Sequence, residues 1–178
     1  MKIKLPAQIE TERLILKKHC LKTEYIQLWV DSINQNLAWL NQFLPHFDEP
    51  MTFEKERAFL ESLLTENQEI NYGIWNKRTQ ELMGSIGAFN LEQKGQKKNM
   101  ELAIMLFEKF AGHGYGPEAI NILKQNLFNV GLDSVTLKID SQNNRSLHAA
   151  SKIGFSWDNS KEHFIMAEST RVPKTPAM

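Results

Sequence analysis

Long apolar runs, cysteines and an excess of charge of either sign are all missing from this sequence. Cys20 is the only cysteine in 178 residues, which excludes an intrachain disulfide framework and suits a reducing compartment. The 21 basic residues equal the 21 acidic ones, so no overall charge attracts nucleic acid or an anionic membrane. No apolar run approaches the roughly 20 residues of a membrane span, and residues 1–10 lack the apolar core of a signal peptide. These absences predict a cytoplasmic protein that neither enters a membrane nor binds nucleic acid directly.

The length and composition predict one globular domain. Hydrophobic residues make up 42% of the chain and charged residues 24%, which is ordinary for a globular protein. A chain of 178 residues can bury a sizeable core as one domain, whereas two domains would be cramped. We expect a single domain over 1–178, with its core at about 10–168 and a frayed tail at 169–178.

Apolar periodicity and turn residues predict an α/β fold with a mixed sheet. Strands are expected at 12–18, 70–76, 82–91, 100–106, 134–140 and 162–169. Helices are expected at 21–36, 52–67, 117–132 and 145–155, the last stopping at Gly154. The stretch 77–81 is predicted to turn a hairpin, and the polar stretch 92–99 is predicted to be a loop.

The two early helices each show an apolar stripe. The first is predicted to bury Tyr25, Leu28, Trp29 and Ile33. The second is predicted to bury Phe59, Leu60, Leu63 and Leu64, with Thr52 as its N-terminal cap.

The stretch "FAGHGYGPEA" at 110–119 combines three glycines with a proline directly before a helix. Glycine at 112, 114 and 116 permits positive φ angles and lets a ligand approach the backbone, and Pro117 suits the first helical turn. The turn therefore either cradles an anion such as a phosphate on its N–H groups or simply reverses the chain. A dinucleotide fingerprint is excluded because its third glycine position holds Pro117, and the Gly-Lys-Ser/Thr of a nucleoside-triphosphate loop is absent.

Several separated motifs resemble the GNAT superfamily of acetyl-CoA-dependent N-acetyltransferases. They are "MELAIMLFEKFAGHGYGPEA" at 100–119 and, after it, "LKIDSQNNRSLHAASKIGF" at 137–155. The stretches "ETERLILKKH" at 10–19 and "LMGSIGAFNL" at 82–91 are similar to the branch that contains the ribosomal-protein N-terminal acetyltransferases (RimJ/RimL-like). The resemblance implies a mostly antiparallel sheet flanked by helices, acetyl-CoA as cosubstrate and no metal.

The resemblance also implies which residues bind coenzyme A. Gly114 and Gly116 match the glycine pair of the pyrophosphate turn, and Asn143 and Ser146 match the pair that contacts the pantetheine arm. The full set of implied cofactor-binding residues is Leu106, Gly112, His113, Gly114, Tyr115, Gly116, Asn143, Ser146 and Lys152.

Three departures from the family pattern stand out. Ala111 occupies a position that usually holds Gln or Arg, a loss for which Lys109 or His113 could compensate. Ala150 stands where many members carry a tyrosine general acid, and the region after Phe155 is short.

The resemblance suggests roles for three residues in acetyl transfer. Glu101 matches a family glutamate and is the candidate general base; alternatively it faces solvent or pairs with Lys97 or Lys98. A backbone N–H near Leu106, where strand pairing is expected to open, would stabilise the oxyanion. Ser146 would donate a hydrogen bond to the leaving thiolate, or would cap the helix that follows it.

The acceptor side is expected in the aromatic segment at 37–50. Trp39 and Phe43 are candidate walls of an acceptor pocket, and Asp48 is a candidate to attract a cationic amine. Alternatively, the aromatic side chains pack the first helices onto the sheet. The five histidines show no metal-ligand spacing.

The resemblance to the RimJ/RimL-like branch implies an N-acetyltransferase that acts on a protein N-terminal α-amine. An α-amine with a pKa of about 8 is roughly a tenth neutral at pH 7, so it needs only a modest base. Two alternatives are an acetyltransferase for a small amine, such as a polyamine, amino sugar or amino acid, and a coenzyme A-binding module without activity. The chain is expected to be a monomer or a homodimer.

Overall fold

A mixed sheet of eight strands runs through the part of the chain that the computed structural model describes, which is residues 3–44, 46–65, 69–95, 97–158 and 164–168. The strands are β1 (Gln8–Glu10), β2 (Leu14–Lys18), β3 (Ile70–Asn76), β4 (Leu82–Lys94), β5 (Lys97–Leu106), β6 (Ser134–Lys138), β7 (Ser156–Asp158) and β8 (Phe164–Glu168). Their order is β1-β2-β3-β4-β5-β6-β8-β7. Only β5 and β6 pair in parallel among these strands. The tail expected at 169–178 lies outside the described residues.

Among the described residues, five α-helices flank this sheet, and a short 3-10 helix spans Glu108–Phe110. The α-helices are α1 (Thr23–Gln35), α2 (Leu37–Asn41), α3 (Phe53–Thr65), α4 (Tyr115–Asn129) and α5 (Asn144–Lys152). The expected α/β fold, with a mixed and mostly antiparallel sheet between helices, is confirmed. Within the described residues, no helix has both the length and the apolar character needed to cross a membrane.

Helices cover both faces of the sheet. Successive side chains of each strand point to opposite faces, so each strand can contact helices on both sides. On one side, which we call the α1 face, α1 lies so close to β3 that a Cβ at Gly73 would sit 3.1 Å from the Tyr25 hydroxyl. On the other side, the α4 face, a Cβ at Gly116 would meet Leu106 of β5 at 3.7 Å. Residues of β5 therefore have alternate side chains towards α1 and towards α4.

The buried stripes of α1 and α3 differ from the expected ones. Trp29 and Ile33 are buried as expected, but Leu28 is 39% exposed, because the inward side of α1 is completed by other residues. In α3 the inward positions are Glu56, Leu60 and Leu63, whereas Phe59 and Leu64 are 51% and 49% exposed. The spacing i, i+4, i+7 selects this stripe, and it places a glutamate at a core position. The expected cap of α3 is confirmed, since Thr52 Oγ1 accepts the Lys55 N–H at 3.2 Å.

The loop expected at 92–99 is wrong, because most of this stretch extends β4 and β5 as a hairpin. The pairs Glu92↔Asn99 and Lys94↔Lys97 continue the ladder, with a register shift between Phe89 and Glu92. Gly95 turns the chain at φ +62°. Polar side chains fit a strand extension that is largely exposed, so polarity alone did not distinguish it from a loop.

Candidate active site

A cleft opens where strand β6 separates from β5. The parallel pairing of β5 and β6 ends at Leu102↔Leu137, whereas β4 pairs with β5 as far as Gly84↔Leu106. The last part of β5 therefore has β4 on one side and an open edge on the other.

The backbone of this open edge carries hydrogen-bonding groups. The Phe107 N–H donates to Met83 O at 2.9 Å, which fixes the alternation of the β4–β5 ladder. By that alternation, Ile104 and Leu106 direct their N–H and C=O groups away from β4, towards the cleft. Leu106 O accepts a hydrogen bond from Trp39 Nε1 at 2.9 Å. The opening expected near Leu106 thus begins four residues earlier, after Leu102.

The glycine turn ends at this cleft and begins helix α4. Gly112 and Gly114 adopt φ of +85° and +80°, as the sequence predicts. Gly116 does not, because it already lies inside α4, and its missing side chain leaves space in the cleft rather than freedom to turn. Gly114 is the N-cap residue and has no side chain to accept from the first N–H groups of the helix. These groups lack intrahelical partners and lie at the positive end of the helix dipole.

Residues before β2 hold this turn from behind. The Arg13 guanidinium donates to His113 O at 3.1 Å, lies 2.6 Å from Glu118 Oε2 and covers the Tyr115 ring at 4.6 Å. The hydroxyl of Thr11 donates to Glu118 Oε1. Burial alone would raise the pKa of Glu118, but the hydrogen bonds from Thr11 and Arg13 outweigh it and hold that pKa below its usual value. Arg13 therefore holds the turn in place, and compensation for Ala111 in cofactor binding by Lys109 or His113 stays a prediction.

The two residues that could compensate for Ala111 make other contacts in the structure. Lys109 Nζ lies 2.7 Å from Glu81 Oε1 in an ion pair. His113 is exposed and contributes its carbonyl to Arg13.

The cleft contains a cavity of about 480 Å³ between the end of β5, the glycine turn and α5. Most of the residues predicted to bind the cofactor line it, namely Leu106, Gly112, Gly114, Gly116, Asn143, Ser146 and Lys152. His113 and Tyr115 do not line it, because the Tyr115 ring is turned under Arg13. Ala111 and Ala150 lie in the wall, so both departures from the family pattern leave the cavity wider.

Helix α5 begins with an asparagine cap. Asn143 Oδ1 accepts the Ser146 N–H at 3.1 Å, so the expectation that Ser146 caps the helix is wrong. Ser146 is the third residue of α5, and its position in the cavity wall leaves its hydroxyl available to a ligand. The cap could have been predicted at Asn143, one turn before Ser146, because Asn is a strong capping residue.

Only two of the three predicted acceptor residues line a common cavity. Trp39 and Phe43 line the cleft cavity, and Asp48 is exposed and lines neither of the two cavities described. The Arg145 guanidinium lies over the Trp39 ring at 4.7 Å, and Trp39 in turn bonds Leu106 O. This bridge between α2 and α5 was not predicted, because its partners are far apart in the sequence.

Glu101, the predicted base, is held in an ion pair. Its Oε2 lies 2.7 Å from Lys138 Nζ, and Asn90 Nδ2 donates to the same oxygen at 3.3 Å. The partner is therefore a residue of the neighbouring strand rather than Lys97 or Lys98. Glu101 lines neither of the two cavities, and its role as a base stays a prediction.

A second cavity of about 310 Å³ lies on the α1 face, between α1, α3 and the sheet. We call it the α3 cavity. Its walls are mainly apolar and include Trp29, Phe47, Phe59, Phe89 and Met105. Sequence reasoning did not locate this site, because its walls come from seven separate segments.

The α3 cavity contains a buried carboxyl group and a buried imidazole. Glu56 is 2% exposed, its Oε2 has no hydrogen-bond partner among the described residues, and burial raises its pKa to about 7. His19 Nε2 donates to Asn71 Oδ1 at 2.9 Å, and His19 Nδ1 accepts from the Tyr25 hydroxyl at 2.7 Å. Burial lowers the pKa of His19, and the bond to Asn71 opposes this only in part. The position of Glu56 in the sequence, four residues before Leu60, could have indicated that it lies on the inward side of α3.

The fold agrees with that of known proteins. The acetyltransferase (GNAT) domain model matches residues 13–156. The microcin C7 self-immunity acetyltransferase MccE, solved with acetyl-CoA and AMP, superposes with a TM-score of 0.77 at 20% identity, covering 93% of this chain and 98% of that one.

Two further solved structures resemble the chain. RimL, a ribosomal-protein α-N-acetyltransferase in complex with coenzyme A, has a TM-score of 0.73 at 18% identity, with 90% and 93% of the two chains covered. A putative ribosomal-protein-serine acetyltransferase from Vibrio cholerae has a TM-score of 0.72 at 17% identity, with 91% and 97% covered. None of the curated proteins compared matches the chain in sequence. With the family model matching residues 13–156 and the fold shared with these structures, the chain belongs to the GNAT acetyltransferase family.

Proposed function

We propose that this acetyltransferase uses acetyl-CoA and acetylates the α-amine of a protein N-terminus. The observation that carries the proposal is the cleft itself. At one end it offers the uncapped N–H groups of α4, and along its side it offers the open edge of β5. MccE and RimL, which share the fold, are solved with acetyl-CoA and coenzyme A respectively.

The residues present fit a coenzyme A ester. Positive φ at Gly112 and Gly114 exposes backbone N–H groups where a pyrophosphate would need donors. Arg145 and Lys152 place positive charge on the α5 wall of the same cavity. The cavity of about 480 Å³ is lined by residues of β5 and α5 and falls in the size range of small-molecule sites.

When bound, acetyl-CoA supplies an acetyl group activated as a thioester. The chain contributes N–H donors at Ile104 and Leu106, on the edge that β6 leaves open. Trp39 holds the Leu106 carbonyl at 2.9 Å and thereby orients this stretch of backbone. The hydroxyl of Ser146 lies in the opposite wall, where it can donate to a thiolate.

A protein α-amine suits a site of this kind. Its pKa of about 8 leaves roughly a tenth of it neutral at pH 7, against less than a thousandth of a lysine side chain. Glu101 is the proposed base, and because Lys138 holds its carboxylate at 2.7 Å, that ion pair must open for Glu101 to act. RimL, by its name an α-N-acetyltransferase of a ribosomal protein, supports an N-terminal acceptor for this chain.

The test is release of free coenzyme A thiol from acetyl-CoA across a panel of amines. The panel holds short peptides with each of the common N-terminal residues, together with polyamines, amino sugars and free amino acids. We expect turnover with peptides only. Turnover confined to a small amine would replace the protein acceptor by a metabolite, and acetyl-CoA binding without turnover on any amine would indicate a non-catalytic module.

A further inference from the structure

The α3 cavity holds a carboxyl group for which the described chain supplies no partner. Glu56 is 2% exposed, and its Oε2 accepts no hydrogen bond within the described residues. An unpaired carboxylate in an apolar wall is costly, and such a group in a native protein calls for an explanation such as a catalytic role or a bound ligand. The orphaned oxygen therefore indicates a ligand that donates hydrogen bonds.

The charged and titratable groups around Glu56 are already engaged or turned away. On α3, Lys55 Nζ lies 3.1 Å from Glu49 Oε2 in an exposed ion pair. On the sheet side, the His19 ring bonds Tyr25 and Asn71 with its two nitrogens.

The remaining titratable group of the wall, His46, belongs to the segment between α2 and α3 and is exposed. Its ring lies 4.4 Å from the Phe47 ring, centroid to centroid. Within the described residues, then, no cation of the chain bonds the Glu56 carboxyl group.

The α3 cavity meets the cofactor cleft on strand β5. Leu44, Ala103, Ile104 and Met105 line both cavities. Ile104 is also one of the two residues that present an N–H on the open edge of β5. The two cavities therefore adjoin along this stretch of β5, beside the site where acetyl transfer is proposed.

We propose that the α3 cavity binds the amine-bearing end of the acceptor, that Glu56 binds the acceptor's ammonium group, and that the apolar walls select an apolar first side chain. This inference rests on the proposed function, which supplies the reaction at the neighbouring cleft. The cavity of about 310 Å³ is at the lower end of the range for small-molecule sites, so it accommodates a group of about residue size rather than a long segment. The acceptor class is therefore a peptide that begins with Met, Leu or Phe.

An ammonium group matches this cavity better than a neutral one. It donates up to three hydrogen bonds, and a charge-assisted bond to a carboxylate is stronger than a bond between neutral groups. Because Glu56 titrates near pH 7, ligand binding that needs its ionised form should strengthen as the pH rises from 6 to 7.5.

The decisive variant is Glu56→Gln, which removes the charge and preserves the shape. Glu54→Gln is the matched control, because it is the same substitution at an exposed position of the same helix. We expect Glu56→Gln to raise KM for a Met-initiated peptide about 10-fold or more, with the Kd for acetyl-CoA unchanged and with Glu54→Gln indistinguishable from wild type. An unchanged peptide KM in folded Glu56→Gln overturns the inference.

Two further measurements use the wild-type protein, so they do not depend on any variant folding. Peptides that begin with Met, Leu or Phe should have lower KM values than otherwise identical peptides that begin with Asp or Ser; equal values overturn the apolar selection. The KM of a Met-initiated peptide should fall between pH 6 and pH 7.5, and a flat profile overturns the role of Glu56.

Failure of this inference is distinguishable from failure of the proposed function. If wild type acetylates peptides but Glu56→Gln has an unchanged KM, only the acceptor site is wrong. If wild type binds acetyl-CoA but acetylates no peptide, the proposed function itself is wrong, and the acceptor inference fails with it.

Discussion

Glu56→Gln should change how the stability of the free protein depends on pH. Burial raises the pKa of Glu56 from 4.5 to about 7 in the folded state. The folded protein therefore binds a proton that the unfolded chain releases, and the stabilisation is fully present below pH 4.5 and is lost as the pH rises through about 7. A glutamine at this position carries no charge at any of these pH values, so the variant lacks this loss.

The expected size follows from the shift. A difference of about 2.5 pKa units corresponds to about 3 kcal/mol once the group is ionised in both states. The two-state linkage curve places about 2 kcal/mol of this between pH 5 and pH 7. The free energy of unfolding of Glu56→Gln, minus that of wild type, should therefore grow by about 2 kcal/mol over that interval.

Urea denaturation at pH 5, 6, 7 and 8, without ligand, measures this difference. Comparing the two proteins also removes the effect of His19 on the pH dependence. The lowered pKa of His19 acts in the opposite direction, because neutral His19 stabilises the fold above pH 6.5 and this stabilisation is lost as the pH falls. Glu54→Gln should parallel wild type at every pH. A constant difference between Glu56→Gln and wild type would show that Glu56 is not held in a desolvated site, and the reasoning would fail.

The remaining predictions concern the cleft. Gly114→Val should weaken acetyl-CoA binding about 10-fold or more, because Gly114 has φ of +80°. The control Gly131→Val, at φ +97° with open space around it, should lower stability but leave the Kd for acetyl-CoA unchanged. Equal Kd values for the two variants by calorimetry would remove the turn from the cofactor site. Glu118→Gln should loosen the turn and raise the same Kd several-fold, with a lower Tm; an unaltered Kd would mean that the turn holds its shape without that carboxylate. Trp39→Phe should lower kcat more than it changes the Kd for acetyl-CoA, since it removes the donor to Leu106 O; unchanged kcat would limit Trp39 to packing.

Features that depend on local backbone chemistry could be predicted from the sequence. Positive φ at Gly112 and Gly114 was predictable because few other residues adopt it, and the cap at Thr52 followed from its place before an apolar stripe. The cleft was predictable only through the resemblance of separated motifs to a family. The opening of β5 depends on the point at which β6 diverges, and pairing of this kind is not visible in periodicity.

Features that depend on distant partners were missed or misplaced. Glu56 was not singled out in the sequence, and only the sheet beside α3 makes it a core group. Arg13 gave no sign of its role, because His113 and Glu118 lie about a hundred residues later in the chain. Trp39 was recognised as a pocket residue and lines the cleft cavity, but its bond to Leu106 O was not foreseen, and its acceptor role stays a prediction.

The central claim is acetyl transfer from acetyl-CoA to a peptide α-amine. The most direct measurement incubates the full chain with acetyl-CoA and a synthetic peptide that begins with Met and contains one internal lysine, and then locates the acetyl group by tandem mass spectrometry. The account predicts acetylation of the N-terminal α-amine and an unmodified lysine. Acetylation of the lysine, or an unmodified peptide while acetyl-CoA is bound, would contradict it.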